Sequence, residues 1–358
     1  MKMSFRWYGE GNDSVTLAQI KQIPGVEEIV WALHHKAPGE IWEKEEIAAV
    51  KKQLDEYGFG MEVVESVNVH DDIKTGSGER DRYIENYCTT LRNLSEFGVK
   101  VVCYNFMPVF DWTRTDLFHP LPDGSTALFY EKSKIKDDPM EMAEYILKEC
   151  RDFTMPGWEP ERLADLKGLF ERYADVDKET LWANFKYFLE AIMPTCNECG
   201  IKMAVHPDDP PWDIFGLPRL ITGEEGVSRL LSMVDDPCNC LTLCSGSLGA
   251  SPDNNVADIA RRHADRIPFA HIRNVHRYDN GDFTEVSHRD RDGDVGVLDI
   301  ITALYENGFD GYIRPDHGRH IWGEKCRPGY GLYDRALGIM YILGAWDMLD
   351  KRSLSAVR

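Results

Sequence analysis

The chain has 358 residues, 43% hydrophobic and 28% charged, which supports a large buried core and excludes an intrinsically disordered protein. Its formal net charge of −20 disfavours nucleic acid or an anionic membrane as partner, although a local cationic pocket can still take a small acid. No apolar run approaches the roughly 18 residues of a membrane span, residues 1–13 do not read as a signal peptide, and nine scattered cysteines fit a reduced, cytoplasmic protein.

In chain order, short apolar runs alternate with helical stretches. Strands are predicted at Ser4–Trp7 and Glu28–Leu33, followed by a helix over Trp42–Tyr57 that stops at Gly58. A third strand at Gly60–Glu65 precedes a helix over Arg80–Phe97 that stops at Gly98, and the fourth strand is Lys100–Asn105. After a long interruption come a helix over Leu181–Cys199, Gly200, and strands at Lys202–His206, Cys240–Cys244 and Ile267–Ile272. A helix over Val297–Asn307 ends at Gly308, before the last strand at Gly311–Pro315. Helix, glycine, strand is the capping chemistry of an α/β connection. Eight nearly continuous apolar strands, each buried on both faces, predict an α/β chain closed as a (β/α)8 TIM barrel. The alternative is an open doubly wound sheet, which the lack of a Gly-rich phosphate loop after the first strand disfavours.

Residues 107–178 break the rhythm, too long for an ordinary loop and rich in Pro, Asp and aromatics. The reading is one barrel domain over 1–358, with 107–178 inserted after strand four as a lid or an oligomer contact.

Barrel enzymes place their sites at the carboxyl ends of the strands. Those ends carry His206, Cys244, His271 and Asp316, from four consecutive strands. Two imidazoles, a thiolate and a carboxylate are ordinary ligands of a divalent transition metal, and their convergence says more than any one of them. Taken singly, a barrel histidine is more often a hydrogen-bonded core residue. The surrounding loops are polar: His206-Pro207-Asp208-Asp209-Pro210-Pro211-Trp212, Arg273-Asn274-Val275-His276 and Arg314-Pro315-Asp316-His317-Gly318-Arg319.

These segments resemble the D-mannonate dehydratase family of the xylose-isomerase-like barrel group. The resemblance rests on AVHPDDPP at 204–211, LCSGSLG at 243–249, HIRNV at 271–275, RPDHG at 314–318 and RPGYGLYDRALG at 327–338. FRWYG at 5–9 and NFMPVFDWTRT at 105–115 add to it, so it spans essentially the whole chain. It implies loss of water from D-mannonate to give 2-keto-3-deoxy-D-gluconate in hexuronate breakdown. It also implies Mn(II) or Fe(II) on His206, Cys244, His271 and Asp316, with His317 and Tyr330 as acid and base and a homodimeric assembly. Tyr333 lies close enough in sequence to compete with Tyr330. Affinity order alone would favour zinc on such a set.

The chemistry asks for such groups. A proton α to a carboxylate leaves only if the resulting dianion is neutralised, and a 3-hydroxide leaves only with a proton from a positioned acid. Arg114, Arg273, Arg314, Arg319 and Asn105 are candidates to grip the substrate's carboxylate or hydroxyls. Each has a plainer reading. Arg314 can be a mouth salt bridge to Glu65, and Asn105 and Asp111 can merely shape a loop. His34-His35, His70, His119 and His276 can be solvated, and Trp7, Trp31, Trp112 and Trp322 can fill the core. Cys196-Asn197-Glu198-Cys199 has half a zinc spacing with no matching second pair. The rival functions are a sugar isomerase or epimerase of the same barrel group and a non-catalytic barrel with a structural metal.

Overall fold

The computed structural model describes residues 1–135, 139–149 and 165–356. Among the described residues twelve strands run β1 (Lys2–Arg6), β2 (Val26–Trp31), β3 (Gly60–Glu65), β4 (Val101–Tyr104), β5 (Asp116–Pro120), β6 (Thr126–Tyr130), β7 (Lys202–Val205), β8 (Asn239–Cys244), β9 (Phe269–Ile272), β10 (Asn274–Arg277), β11 (Phe283–Val286) and β12 (Tyr312–Pro315). Eight close a parallel barrel in the order β1-β12-β9-β8-β7-β4-β3-β2, the eight expected from the apolar runs.

A period of two along each strand sorts the side chains. Val30, Val63, Val101, Cys103, Ala204, Cys240, Phe269 and Tyr312 fill the barrel, while Ile29, Val64, Val102, Met203, Val205, Leu241, Ala270, Ile272 and Ile313 pack outward against the helices. Burying each large aliphatic contributes about 1.5–3 kcal/mol, so both faces demand apolar residues. The same parity carries upward: two residues beyond Ala204 is His206, four beyond Cys240 is Cys244, two beyond Phe269 is His271, and four beyond Tyr312 is Asp316. All four therefore belong to the inward face, above the apolar filling.

The helices return the chain as the glycines foretell. Lys44–Tyr57 and Lys178–Cys199 end at Gly58 and Gly200, both left-handed at φ 66° and 65°, where a side chain would be strained. The second helix starts three residues before Leu181, because Asp177 accepts a capping hydrogen bond from the Thr180 backbone N–H.

The insertion has structure that the sequence reading left unassigned. β5 and β6 form a hairpin whose β6 edge pairs antiparallel with β11, giving a four-stranded sheet in the order β10-β11-β6-β5. Two segments far apart in sequence, one after β4 and one after β9, are thereby joined beside the barrel mouth. Helices at Pro139–Glu149 and Leu166–Tyr173 follow within the insertion. No helix among the described residues is long and apolar enough to cross a membrane.

Candidate metal centre

His206, Cys244, His271 and Asp316 each offer a ligand atom such that all four atoms lie within 4.8 Å of one another. The last three are buried, and His206 is half-buried. His206 begins where β7 ends; its backbone N–H donates to the Tyr104 carbonyl, and its ring Nδ1 lies 2.7 Å from the Pro207 carbonyl. That contact leaves Nε2 for another partner. Cys244 Sγ sits 3.4 Å from Asp316 Oδ2 and 3.1 Å from the Ser247 hydroxyl, which donates to it. His271 stands on the Phe269 ring, centroids 4.6 Å apart, and its ring centroid is 5.1 Å from that of His206.

The set fits a divalent transition ion. Buried His271 Nε2 and Glu65 Oε2 have no hydrogen-bond partner and face each other at 3.5 Å. Two imidazoles, a thiol and a carboxylate converge within the span that one ion can bridge, and that donor set suits such a cation. A second group, Glu65, Cys103 and His271, shares one member. There Arg314 already engages Glu65 at 2.8 Å, and burial pushes the Cys103 thiol up, so the quartet is the better donor set.

Arginines and carboxylates knit the walls. Arg114 binds Asp209 through both nitrogens at 2.8 and 2.9 Å and reaches Glu285 at 2.9 Å. Arg273 spans Asp316 at 2.7 Å, Asp209 at 2.6 Å and Glu285 at 3.2 Å. Arg314 joins Glu65 to Asp316, at 2.8 and 3.0 Å. Burial alone would raise these carboxyls, but the cations outweigh it. Asp316 is held well below the usual range by His317, Arg314, His271 and Arg273, Asp209 below it by Arg114 and Arg273, and Glu285 at about 2 by His317, Arg273 and Arg114.

Beside the quartet, His317 Nδ1 lies 2.9 Å from Glu285 Oε1, and its Nε2 lies 3.0 Å from the Tyr330 hydroxyl. Burial, with Tyr8 and Asp316 nearby, pushes the Tyr330 phenol well above its usual range. The chain leaves β12 at Pro315, so the neighbours Asp316 and His317 both face the site, with Asp316 Oδ1 3.9 Å from His317 Nε2. Gly318 is needed there for close approach: a Cβ would meet the Arg335 backbone nitrogen at 3.1 Å. Gly329 has φ 81° and passes so near His317 that a Cβ would lie 3.4 Å from its ring.

Two cavities share Arg6, Tyr8 and Ser66 as walls. The smaller, about 70 Å³, holds His206, Asp316, His317, Tyr330, Asn105 and Trp112; that is room for about five waters. The larger, about 1180 Å³, opens over the loops after β1, β2 and β3 and contains none of the quartet.

Of the residues expected at the site, the structure brings together the quartet, His317, Tyr330 and Asn105. Arg114, Arg273 and Arg314 are adjacent, but protein carboxylates occupy their guanidiniums, and the expected alternative of an Arg314–Glu65 bridge is present. Arg319 pairs instead with Asp334 at 2.9 Å and Asp123 at 3.0 Å. None of these four arginines lines either cavity. Tyr333 is 40% exposed and lies against Trp322 with ring centroids 5.5 Å apart, so Tyr330 and not Tyr333 stands beside His317. Trp112 lies 5.8 Å from the His317 ring, whereas Trp7 and Trp31 are core and Trp322 is exposed. His34 and His70 wall the larger cavity, His119 stacks on Phe129, and His276 pairs with Asp294. Among the described residues the Cys196 and Cys199 pair joins no ligand cluster. Sequence reasoning missed Glu285, which sits on β11, and gave no role to Asp209 inside the quoted HPDDPP.

A parallel barrel with a donor set suited to a transition metal and an adjacent His–Tyr pair at its mouth has the architecture of a metal-dependent barrel enzyme. A family model for D-mannonate dehydratase (UxuA) matches residues 1–356. Mannonate dehydratase 1 of Bacillus licheniformis is 63% identical over 99% of this chain and 98% of its own length. Mannonate dehydratase of Bacillus subtilis is 60% identical over 98% of each chain. The crystal structure of mannonate dehydratase from Streptococcus suis serotype 2 superposes with a TM-score of 0.89 at 45% identity, over 99% of this chain and 96% of that one. A xylose isomerase domain protein from Planctomyces limnophilus, 12% identical with a TM-score of 0.54 over 98% of each chain, shares the fold alone. The chain belongs to the D-mannonate dehydratase family.

Proposed function

We propose that the chain removes water from D-mannonate to give 2-keto-3-deoxy-D-gluconate, with the His317–Tyr330 pair beside the quartet as the observation that carries the reading. The family and its close relatives support the reaction, and the rival isomerase reading lacks their support. His206, Cys244, His271 and Asp316 would hold the metal, which we assign as Mn(II) or Fe(II). A divalent ion there supplies neutralisation of the charge that develops on the substrate carboxylate and 2-hydroxyl.

Ionised Glu285 accepts from His317 Nδ1–H, and the reacting form of His317 is the neutral tautomer, whose Nε2 can accept. In this assignment Nε2 takes the proton from C2 as that C–H bond breaks. Tyr330, kept protonated by burial, donates to the 3-hydroxyl, which leaves as water, and the resulting enol becomes the 2-keto acid. Arg114, Arg273 and Arg314 act through the carboxylates they position, Asn105 contacts the substrate directly, and Arg319 steadies the Asp334 loop. The insertion, through Met107, Asp111 and Trp112, roofs the smaller cavity as a lid. Mixing the protein with Mn(II) and D-mannonate should yield a 2-keto-3-deoxy acid; no product with any divalent metal would end this reading.

We also assign a homodimer. On the last helix, Leu332–Ala356, the exposed Tyr333, Leu337, Met340 and Met348 recur at three, four and eight residues, which puts them on one face with Trp322 beside it. A second copy would cover that stripe, and Leu337→Glu should shift sedimentation from dimer to monomer. Free thiols at the described cysteines support a cytoplasmic location.

A further inference from the structure

The dehydratase reading requires an anionic substrate, yet every arginine expected to receive it is already bound to protein carboxylates. Arg114 and Arg273 share Asp209 and Glu285, Arg273 and Arg314 share Asp316, Arg314 holds Glu65, and Arg319 holds Asp334. A guanidinium in such a bidentate pair has few donors left to offer.

Arg6 is different. It ends β1, is only 4% exposed, and walls both cavities at the point where they meet. Among the described residues no carboxylate lies within ion-pair distance of it. Its contacts are long or weakly polar: Nη1 donates to the Val30 carbonyl at 3.3 Å, Nη2 to His34 Nε2 at 3.4 Å, and the guanidinium lies 4.6 Å from the Tyr8 ring centroid. The other arginines on the larger cavity are engaged, Arg327 with Asn12 at 3.0 Å and Arg172 with Asp72 and Asp165. A buried cation with no carboxylate in direct contact, and only the longer-range field of Glu65 beside it, is costly unless an anion arrives to pair with it.

We propose that Arg6 binds the carboxylate of the substrate, a six-carbon sugar acid, and sets the preference for an aldonate over a neutral polyol. The smaller cavity is too small for the whole chain of carbons, so the substrate must lie along the wall that Arg6, Tyr8 and Ser66 form, with its reacting carbons facing His317 and Tyr330. The proposal rests on the dehydratase reading for the substrate's identity. It goes beyond that reading in naming the cation.

The test compares Arg6→Gln, which keeps hydrogen-bond donors without charge, with Arg6→Lys, which keeps charge without the planar fork. In Mn(II)-loaded protein Arg6→Gln should raise KM for D-mannonate about 10²-fold and Arg6→Lys about 10-fold, with kcat within about threefold in both. Metal content and melting temperature should match the unsubstituted protein; should Arg6→Gln not fold, the Arg6→Lys KM alone decides. An unchanged KM, or equal losses for Gln and Lys, overturns the assignment while leaving the dehydratase reading in place. Calorimetric titration with D-mannonate separates the two ideas. Binding without turnover in the unsubstituted protein, lost in Arg6→Gln, would overturn the reaction and keep the anion site. Neither binding nor turnover would overturn both.

Discussion

The barrel buries carboxylates at both ends, and the two ends treat them oppositely. At the floor, Glu28 and Glu62 share one cation, Lys2, whose ammonium contacts Glu62 and stands 3.8 Å from Glu28. Tyr312 also donates to Glu62, at 2.7 Å, so Glu28 is left with the Glu62 backbone N–H at 3.2 Å. Burial pushes the Glu28 carboxyl up to about 7. At the mouth, Asp316, Asp209 and Glu65 are held below the usual carboxylate range, because four buried guanidiniums (Arg6, Arg114, Arg273 and Arg314) and the neighbouring histidines outweigh the same burial. The lesson is that depth alone does not decide ionisation; the number of fixed cations per carboxylate does. A metal centre needs its carboxylate ligand ionised, and the groups around Asp316, Arg314 and Arg273 among them, keep it so before any ion arrives.

The largest effect should come from breaking the mouth's donor set. Cys244→Ser and His206→Ala should abolish metal retention and turnover while the barrel still folds, since neither residue supports the apolar filling below. Metal analysis, turnover and circular dichroism together check this. Full metal content and activity in Cys244→Ser would defeat the four-ligand assignment. Chelation should likewise stop turnover, with Mn(II) or Fe(II) restoring it; restoration by Zn(II) alone would reverse the choice of metal.

Next in size are the groups that touch the reacting carbons. His317→Asn and Tyr330→Phe should each lower kcat by about 10²-fold or more with normal metal content. Normal metal and near-normal turnover in His317→Asn would remove that residue from the chemistry. Glu285→Gln should cost less, about 10- to 100-fold in turnover, because the imidazole keeps its place but loses the carboxylate that fixes its proton. It should also lower the melting temperature, as Arg114 and Arg273 lose part of their neutralisation. An unchanged rate would show that Tyr330 alone orients His317.

What the sequence disclosed and what it hid follow from the period of each element. The eight barrel strands were legible because both faces are buried, which forces runs such as Val101-Val102-Cys103-Tyr104. The quartet was named from its place at the carboxyl ends of those runs, and parity along them puts all four on the inward face. The hairpin sheet was not, since β10 and β11 are four residues each, half-polar, and stable only against the distant β6. Glu285 was hidden with them. Arg6 sat in the quoted FRWYG, but nothing along the chain tells a paired arginine from an unpaired one. That distinction exists only once Glu65, Asp209, Asp316 and Glu285 have chosen their partners.

The smallest predicted effect lies at the floor, and its sign opposes that at the mouth. Glu28 has a folded-state pKa of about 7, raised from 4.5. Between those values the folded protein binds more protons than the unfolded chain, so stability falls as pH rises. The contribution is fully present below pH 4.5 and lost as pH passes about 7. The mouth carboxylates, lowered in the folded state, contribute stability above the unfolded carboxyl range and lose it as pH falls. A sealed group with this shift would contribute about 3 kcal/mol. Partial solvent contact at the barrel floor screens that to about 1 kcal/mol. Glu28→Gln keeps an oxygen to accept the Glu62 N–H yet carries no charge at any pH. It should therefore be about 1 kcal/mol more stable than the unsubstituted protein at pH 8 and about equal to it at pH 5. Denaturant unfolding of both proteins across that interval reads the difference directly. A constant gap, or one that widens toward acid, would show that Glu28 is ionised in the folded protein and that the two ends of the barrel do not differ in this way.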